Sequence, residues 1–147
     1  MSLASKCSEI YDKVASLLEA EKGNLGVQLI ILGSDKFRGA LRFPFIRIIQ
    51  DAVEVQNRTV TGGEQWFMPI VLVGAVKSND PAQGKRNAQE LTLQASSVLI
   101  QNRDLDGLVE DIVRIRYQPA EEGISPEGEL VYGSAVELQI RFWNTDT

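Results

Sequence analysis

The sequence QWFMPIVLVGAVKSNDP, residues 65–81, opens the stretch from Gln65 to Trp143 that decides the fold. Between Trp66 and Val76 apolar side chains occupy both phases of a period-2 pattern, which is typical of a strand covered on two sides. Pro69 interrupts the pattern, because proline cannot donate a hydrogen bond to a neighbouring strand. We therefore expect this strand to be central for part of its length and unpaired at its start.

A helix follows this strand. Asp80 can accept hydrogen bonds from free backbone amides at the helix start, and Pro81 suits the first helical position. The predicted buried stripe consists of Ala88, Leu91, Ala95 and Val98. We expect the helix to end near Asp104 to Gly107, where a turn begins.

Two long strands close the chain. In the first, an apolar phase alternates with a charged one that holds Glu110, Arg114 and Arg116; the apolar phase is Val109, Val113, Ile115 and Tyr117. The acidic segment from Gln118 to Glu129 is predicted to be a loop. In the last strand the inward phase is Val136, Leu138, Ile140 and Phe142, and it alternates with Glu137, Gln139, Arg141 and Trp143.

The N-terminal half supplies one helix and two strands. Helical spacing of Cys7, Ile10, Val14 and Leu17, with Leu18, predicts a helix over Ala4 to Ala20. Strands are expected at Gln28 to Leu32 and Pro44 to Val55, the second with a phase change near Gln50 to Ala52. The segments Gly33 to Leu41 and Gln56 to Glu64 are predicted to be exposed.

The element order is therefore helix, strand, strand, strand, helix, strand, strand. A chain of 147 residues fits one domain, residues 1–147. We expect an α+β fold in which two helices pack on a mixed, mainly antiparallel sheet. The crossover from Pro81 to Leu105 should be right-handed and place its helix on one sheet face.

Composition restricts the chemistry. The chain has no histidine, which is the commonest general base, and one cysteine, Cys7, which cannot form an intramolecular disulfide. Serine and cysteine catalysis that depends on histidine is excluded within one subunit. A net charge of -5 argues against broad binding of nucleic acids or anionic membranes. No apolar run is long enough to span a bilayer, so we expect an intracellular protein that has no membrane partner.

Two segments resemble ligand sites only weakly. Asp104-Leu105-Asp106-Gly107 has the start of a calcium loop, but the remaining ligands are not at the required spacing. Gly33-Ser34-Asp35-Lys36, with Arg38 and Gly39, has the composition of a phosphate cradle without the spacing of a Walker loop. The preferred interpretation is a helix end for the first segment and a surface loop for the second. We predict no catalytic residues, cofactor or metal.

Six side chains are candidates for a subunit interface. Arginine and tryptophan are enriched in protein interfaces, and Trp143 lies on the outward phase of its strand. The candidates are Arg47, Trp66, Arg114, Arg116, Arg141 and Trp143. The alternative for the arginines is an ordinary solvated outer face.

The order of elements resembles that of the tail-terminator, or tail-completion, proteins of long-tailed phages. The resemblance rests on the amphipathic first helix, Pro44-Phe45-Ile46-Arg47-Ile48 opening a strand, and Trp66 to Val76 as its partner. It also includes the helix after Asp80-Pro81 and the closing strand from Tyr132 to Phe142. Head-completion and neck proteins of the same viruses share related folds, so the resemblance leaves the position within the virion open.

The resemblance implies a non-enzymatic virion protein of an active phage or a prophage. Such proteins form a ring, typically a homo-hexamer, that caps the tail tube, stops its polymerisation and joins the tail to the head. The implied partners are the tail tube protein and a head-completion or neck protein, without specific nucleic-acid binding. The implied location is the host cytoplasm during assembly and then the virion tail.

Within this interpretation, the hairpin from Pro44 to Val76 and the end from Arg141 to Trp143 are expected to contact other subunits. Two other classes stay open. One is a small ligand-binding or regulatory module with a ferredoxin-like sheet that uses Gly33 to Arg38 as an anion contact. The other is an enzyme that works with carboxylates and lysines alone.

Overall fold

The computed structural model describes residues 2–33, 41–59 and 62–144. Their helices are α1 (Leu3–Ala20), α2 (Lys22–Leu25) and α3 (Pro81–Gln101). The strands are β1 (Leu29–Leu32), β2 (Phe45–Gln50), β3 (Glu54–Arg58), β4 (Glu64–Lys77), β5 (Asp111–Ile124) and β6 (Leu130–Asn144). The predicted α+β class and the order of its long elements are confirmed.

The sheet has the strand order β1-β2-β4-β6-β5, and β3 also pairs with β4. Among the described strands β1 and β2 pair in parallel, and the other pairs are antiparallel. Because β6 lies between β4 and β5, helix α3 connects two strands that are not direct neighbours. The β4–β6 pair forms the centre and runs without interruption from Glu64 opposite Asn144 to Lys77 opposite Val131.

The expected unpaired start of β4 is wrong, because β4 pairs with β6 along its whole length. Pro69 is tolerated since its carbonyl faces the other neighbour, where it accepts a hydrogen bond from Asp51 N–H at 3.0 Å. In an antiparallel strand the amide position of a residue faces the same side as its carbonyl, so no β4–β6 bond is lost. The missing donor falls where β2 has already ended.

The predicted strand Pro44 to Val55 is two strands, β2 and β3, along the same side of β4. Residues 51–53 separate them and lie opposite only residues 68 and 69 of β4. This extra residue produces the phase change that the sequence predicts near Gln50 to Ala52.

Both long helices lie on the same face of the sheet, here called the helix face. The main core joins Ile10, Val14 and Leu18 of α1 to Ala88, Leu91, Ala95 and Leu99 of α3. The sheet side of this core comes from alternate residues of β2, β4 and β6, among them Ile48, Ile70, Leu72, Leu138 and Phe142. The predicted inward phase of β6 is confirmed.

Helix α3 begins as the sequence predicts and ends earlier. The Asp80 carboxylate accepts hydrogen bonds from Ala82 N–H at 3.1 Å and Gln83 N–H at 3.4 Å, a cap that contributes about 1 kcal/mol. The helix stops at Gln101, and the turn that follows places Leu105 in the left-handed region at φ 47° with its side chain buried.

Two glycines let α3 approach the sheet closely. At Gly74, an added methyl group would overlap the Thr92 hydroxyl, which accepts a hydrogen bond from Gly74 N–H at 3.1 Å. At Gly84, a methyl group would overlap the buried ring of Tyr132. Helix α3 can therefore lie this close to β4 and β6 only because Gly74 and Gly84 have no side chain.

The predicted loop Gln118 to Glu129 is wrong. Strand β5 continues through Ile124, and only residues 125–129 form the turn to β6. The acidic side chains stay in water because β5 is an edge strand, while their backbone pairs with β6. A charge-rich composition therefore did not prevent strand formation here.

Two irregularities also break the predicted alternation in β5. The register shifts between Arg114 and Arg116 and again between Gln118 and Glu121. At the first shift Ile115 is an extra residue, and its side chain is exposed. Bulges on an edge strand discourage pairing with another sheet, so β5 is poorly suited to extend the sheet through a second molecule.

Two tyrosine hydroxyls provide a test of this packing. Tyr11 donates to the Ile48 carbonyl at 2.6 Å and accepts from Gly33 N–H at 3.1 Å, whereas the buried hydroxyl of Tyr132 has no partner among the described residues. Burial, followed by the carboxylates of Glu122 and Asp80, raises the pKa of Tyr132.

We predict that Tyr11→Phe lowers the free energy of unfolding by about 1 kcal/mol, because two hydrogen bonds are lost. Tyr132→Phe should maintain or raise stability at neutral pH. Since the folded-state pKa of Tyr132 is raised, its contribution is lost as the pH rises above the ordinary value of 10, and Tyr132→Phe should reduce that loss. Urea unfolding at neutral and alkaline pH measures both effects; a larger loss for Tyr132→Phe than for Tyr11→Phe at neutral pH would contradict this assignment.

Candidate subunit interface

The face of the sheet opposite the helices, here called the open face, carries no helix in the described part of the chain. Its apolar residues form a small cluster at one end, made of Ile31, Phe45 and Ala75 with Leu29 and Phe43. Along β4 the same face presents Phe67, Val71 and Val73, which are only half-buried. The expectation that β4 is covered on two sides therefore holds fully on the helix face and only partly on this one.

Trp143 lies at the other end of the open face, opposite Gln65 of β4. Its side chain is 40% exposed, so part of the indole ring lies in water. Two residues earlier, the Arg141 guanidinium stacks over the Phe67 ring at 5.9 Å and lies 4.0 Å from the Asp111 carboxylate. Trp143 therefore stands exposed beside a cation that its own subunit already holds in position.

The middle of the open face is charged. Arg116 and Glu137 are register partners across β5 and β6, yet they form no ion pair among the described residues. Together with Val71, Gln118 and Ala135 they line a shallow depression of about 120 Å³. Burying these two charges against an apolar surface would be costly without new partners.

Arg47 lies on the same face at β2, opposite Val73. Its Nη1 donates a hydrogen bond to the Gly33 carbonyl at 2.9 Å. Arg47 therefore fastens the end of β1 to β2, and its role within the subunit is structural.

The other two candidates lie on the helix face. Arg114 donates to the hydroxyls of Ser96 at 2.8 Å and Ser97 at 2.9 Å on α3, so it fixes that helix to β5. The sequence pattern placed Arg114 with Arg116 because it could not show the bulge between them. Trp66 is half-buried against the main core, and its Nε1 has no hydrogen-bond partner among the described residues.

The structure also places a groove on the open face that the sequence reasoning missed. It lies at the end away from Trp143 and measures about 490 Å³. Ala75, Gly133 and Ala135 form its floor, Phe43 and Phe45 one wall, and the end of β5 near Ile124 the other. Small residues on the outward phase of β6 were the available sequence signal for this groove. It was missed because residues 118–129, which include the β5 wall of the groove, were predicted to be a loop.

The arrangement offers little chemistry. Within residues 2–33, 41–59 and 62–144 no group of three or more acidic or cysteine side chains could hold a metal ion. Asp106 forms an ion pair with Lys13 at 2.7 Å, and Asp104 accepts from Asp106 N–H at 3.2 Å, so these carboxylates stabilise a turn. Burial raises the pKa of the Cys7 thiol, which disfavours a reactive thiolate.

The segment considered as a phosphate cradle lies almost entirely outside the described residues, since only Gly33 belongs to them. Of the described helices, none combines the length and the apolar character needed to cross a lipid bilayer.

Comparison with known proteins gives a shared fold. No protein-family model matches the sequence, and no curated protein matches it significantly. Among solved structures, the chain is similar to a chain of the virion of a native gene transfer agent particle. That similarity has a TM-score of 0.60 and 14% sequence identity, and it covers 91% of this chain and 94% of the other. Nearly the whole chain therefore has the same fold as a chain of that virion.

The two tryptophans provide a test of the two faces. We predict that Trp143→Ala lowers the free energy of unfolding by about 1 kcal/mol, because the side chain is 40% exposed and loses less buried area than Trp66. Trp66→Ala should lower it by about 3 kcal/mol, because Trp66 packs against the core. Each tryptophan can be observed alone: Trp66→Phe leaves Trp143, and Trp143→Phe leaves Trp66. Acrylamide should quench the fluorescence of Trp143 far more than that of Trp66. Equal quenching would contradict the assignment of the faces.

Proposed function

We propose that the protein is a structural component of a phage-like virion that acts as a tail terminator. In this role it forms a ring, a homo-hexamer by analogy, that caps the tail tube, stops its polymerisation and presents a surface for joining to the head. Two lines support the proposal: the resemblance in element order and the fold shared with a chain of a gene transfer agent virion. Partners would be the tail tube protein and a head-completion or neck protein.

The observation that carries the proposal is the open face. The sheet is covered by helices on one side, and on the other side no described helix covers the half-buried Val71 and Val73 or the exposed Trp143. In a protein of this size such surfaces mark contact with other proteins. A closed ring repeats one modest contact around its circumference, so each interface can be small.

The groove supports a second candidate function, a small-molecule binding module. Its volume of about 490 Å³ falls within the range of ligand pockets. Its lining is mainly apolar, and its charged residues are Glu121 and Glu122, which suit an apolar or cationic ligand rather than an anion. The groove therefore does not support the anion contact considered for the ferredoxin-like alternative.

We predict that the protein, expressed with the tail tube protein proposed as its partner, gives rings at tube ends and tubes of limited length in negative-stain electron microscopy. Trp143→Glu should abolish the rings and lengthen the tubes, because it places a charge in the contact. Leu93→Glu is the matched control, since Leu93 is exposed on α3 at the helix face and should tolerate the change.

Normal tube lengths with Trp143→Glu, or an equal defect with Leu93→Glu, would contradict the use of the open face. Unlimited tubes with the wild-type protein would contradict the tail-terminator role. The binding module would be favoured if the protein never assembles and calorimetry shows saturable, stoichiometric binding of a cation that carries apolar groups.

A further inference from the structure

Two unpartnered features lie at opposite ends of the open face. Trp143 is paired with Gln65, and the groove floor residue Gly133 is paired with Ala75, ten residues further along β4. At about 3.3 Å per strand residue, the two features are roughly 33 Å apart. Trp143 therefore cannot reach the groove of its own subunit.

The groove is built to accept a large apolar side chain. Its floor is formed by residues with little or no side chain, and Gly133 has space above it: an added methyl group would lie 3.9 Å from the nearest atom, the Gly74 carbonyl oxygen. Phe43 and Phe45 stand as an aromatic wall, with ring centroids 5.1 Å apart. On the opposite side Ile124 is 73% exposed, the most exposed large apolar side chain of the described residues.

The charges around the two features are complementary. Glu121, the register partner of Gly133, lines the groove, is exposed, and forms no ion pair with a described residue. Trp143 is accompanied on its face by Arg141, a cation whose contact with the Asp111 carboxylate of its own subunit is long, at 4.0 Å. For a chain with a net charge of -5, contact between copies requires such a local match, because the overall charge is repulsive.

We propose that Trp143 of one copy occupies the groove of the next copy, with Arg141 facing Glu121. This inference rests on the proposed function and identifies the surfaces that build its ring. Because Trp143 and the groove lie at separate ends of the open face of each copy, the contact is heterologous and repeats head to tail. A head-to-tail contact of this kind closes into a ring when its rotation permits.

A complete face-to-face pairing of two sheets would also bring each tryptophan to the other groove. It would bury Arg116 and Glu137, together with Gln139, in the middle of the interface. Removing two unpaired charges from water opposes such a sandwich. Overlap at the ends alone leaves these residues in solvent.

Photo-crosslinking tests the contact directly. Trp143→benzoylphenylalanine keeps a large aromatic side chain, and irradiation of the assembled protein should link position 143 to groove residues such as Phe43 or Ile124 of another copy. Peptide mass spectrometry identifies the linked residues. Leu93→benzoylphenylalanine, on the helix face, is the control and should give no link to the groove.

A second variant tests the groove without changing the tryptophan. Gly133→Leu should fill the groove, abolish ring assembly and leave the urea midpoint near that of the wild type, because the added side chain has space. Leu93→Ala should assemble normally. Assembly of Gly133→Leu to wild-type levels overturns the inference.

The outcomes separate the inference from the function. The head-to-tail contact is overturned if the protein forms rings but the cross-links map outside the groove, or if cross-linking gives no species larger than a dimer. Either result leaves the tail-terminator role standing. No assembly of the wild-type protein, alone or on tubes, overturns both. Links from position 143 to the groove, together with cross-linked oligomers larger than dimers on a denaturing gel, support the inference.

Discussion

Helices α1 and α3 both pack on the same face of the sheet, and this one-sided covering determines how the rest of the molecule behaves. The apolar residues of the helix face are buried within the chain, in one main core that includes Ile10 of α1 and Phe142 of β6. The open face has no equivalent cover among the described residues, so its apolar positions must meet water or another molecule. Gly74 and Gly84 permit the close approach of α3 to the helix face, while no described helix covers the open face.

Two of the cations on the open face are held in position by their own subunit. Arg141 is held between Phe67 and Asp111, and Arg47 is fastened to Gly33, so these cations stabilise the sheet edges. The described residues bring together neither a metal-binding cluster nor an activated thiol. What remains is an exposed tryptophan at one end, a groove at the other, and charges between them that favour partial overlap of neighbouring copies. A repeating contact of this form suits a ring.

Much of the fold could be predicted because its strongest signals are local. Asp80 followed by Pro81 fixed the start of α3, and the strict alternation from Val136 to Phe142 identified the inward phase of β6. The behaviour of β5 could not be predicted in the same way. Its two bulges depend on pairing with β6, and they moved Arg114 to the helix face while Arg116 stayed on the open face. The groove depends on strands distant in sequence and on Gly133 and Ala135, whose small size gives no periodic signal of its own.

The chain shares its fold with a chain of a gene transfer agent virion, and the proposed contact depends on the open face of that fold. Hydroxyl-radical footprinting of the free and assembled protein tests the central claim most directly, because it reports side-chain exposure on both faces in one experiment. Assembly should strongly reduce the labelling of Trp143, Phe43 and Ile124 and leave Leu93 on the helix face unchanged. Protection of Leu93 with full labelling of Trp143 would contradict the account.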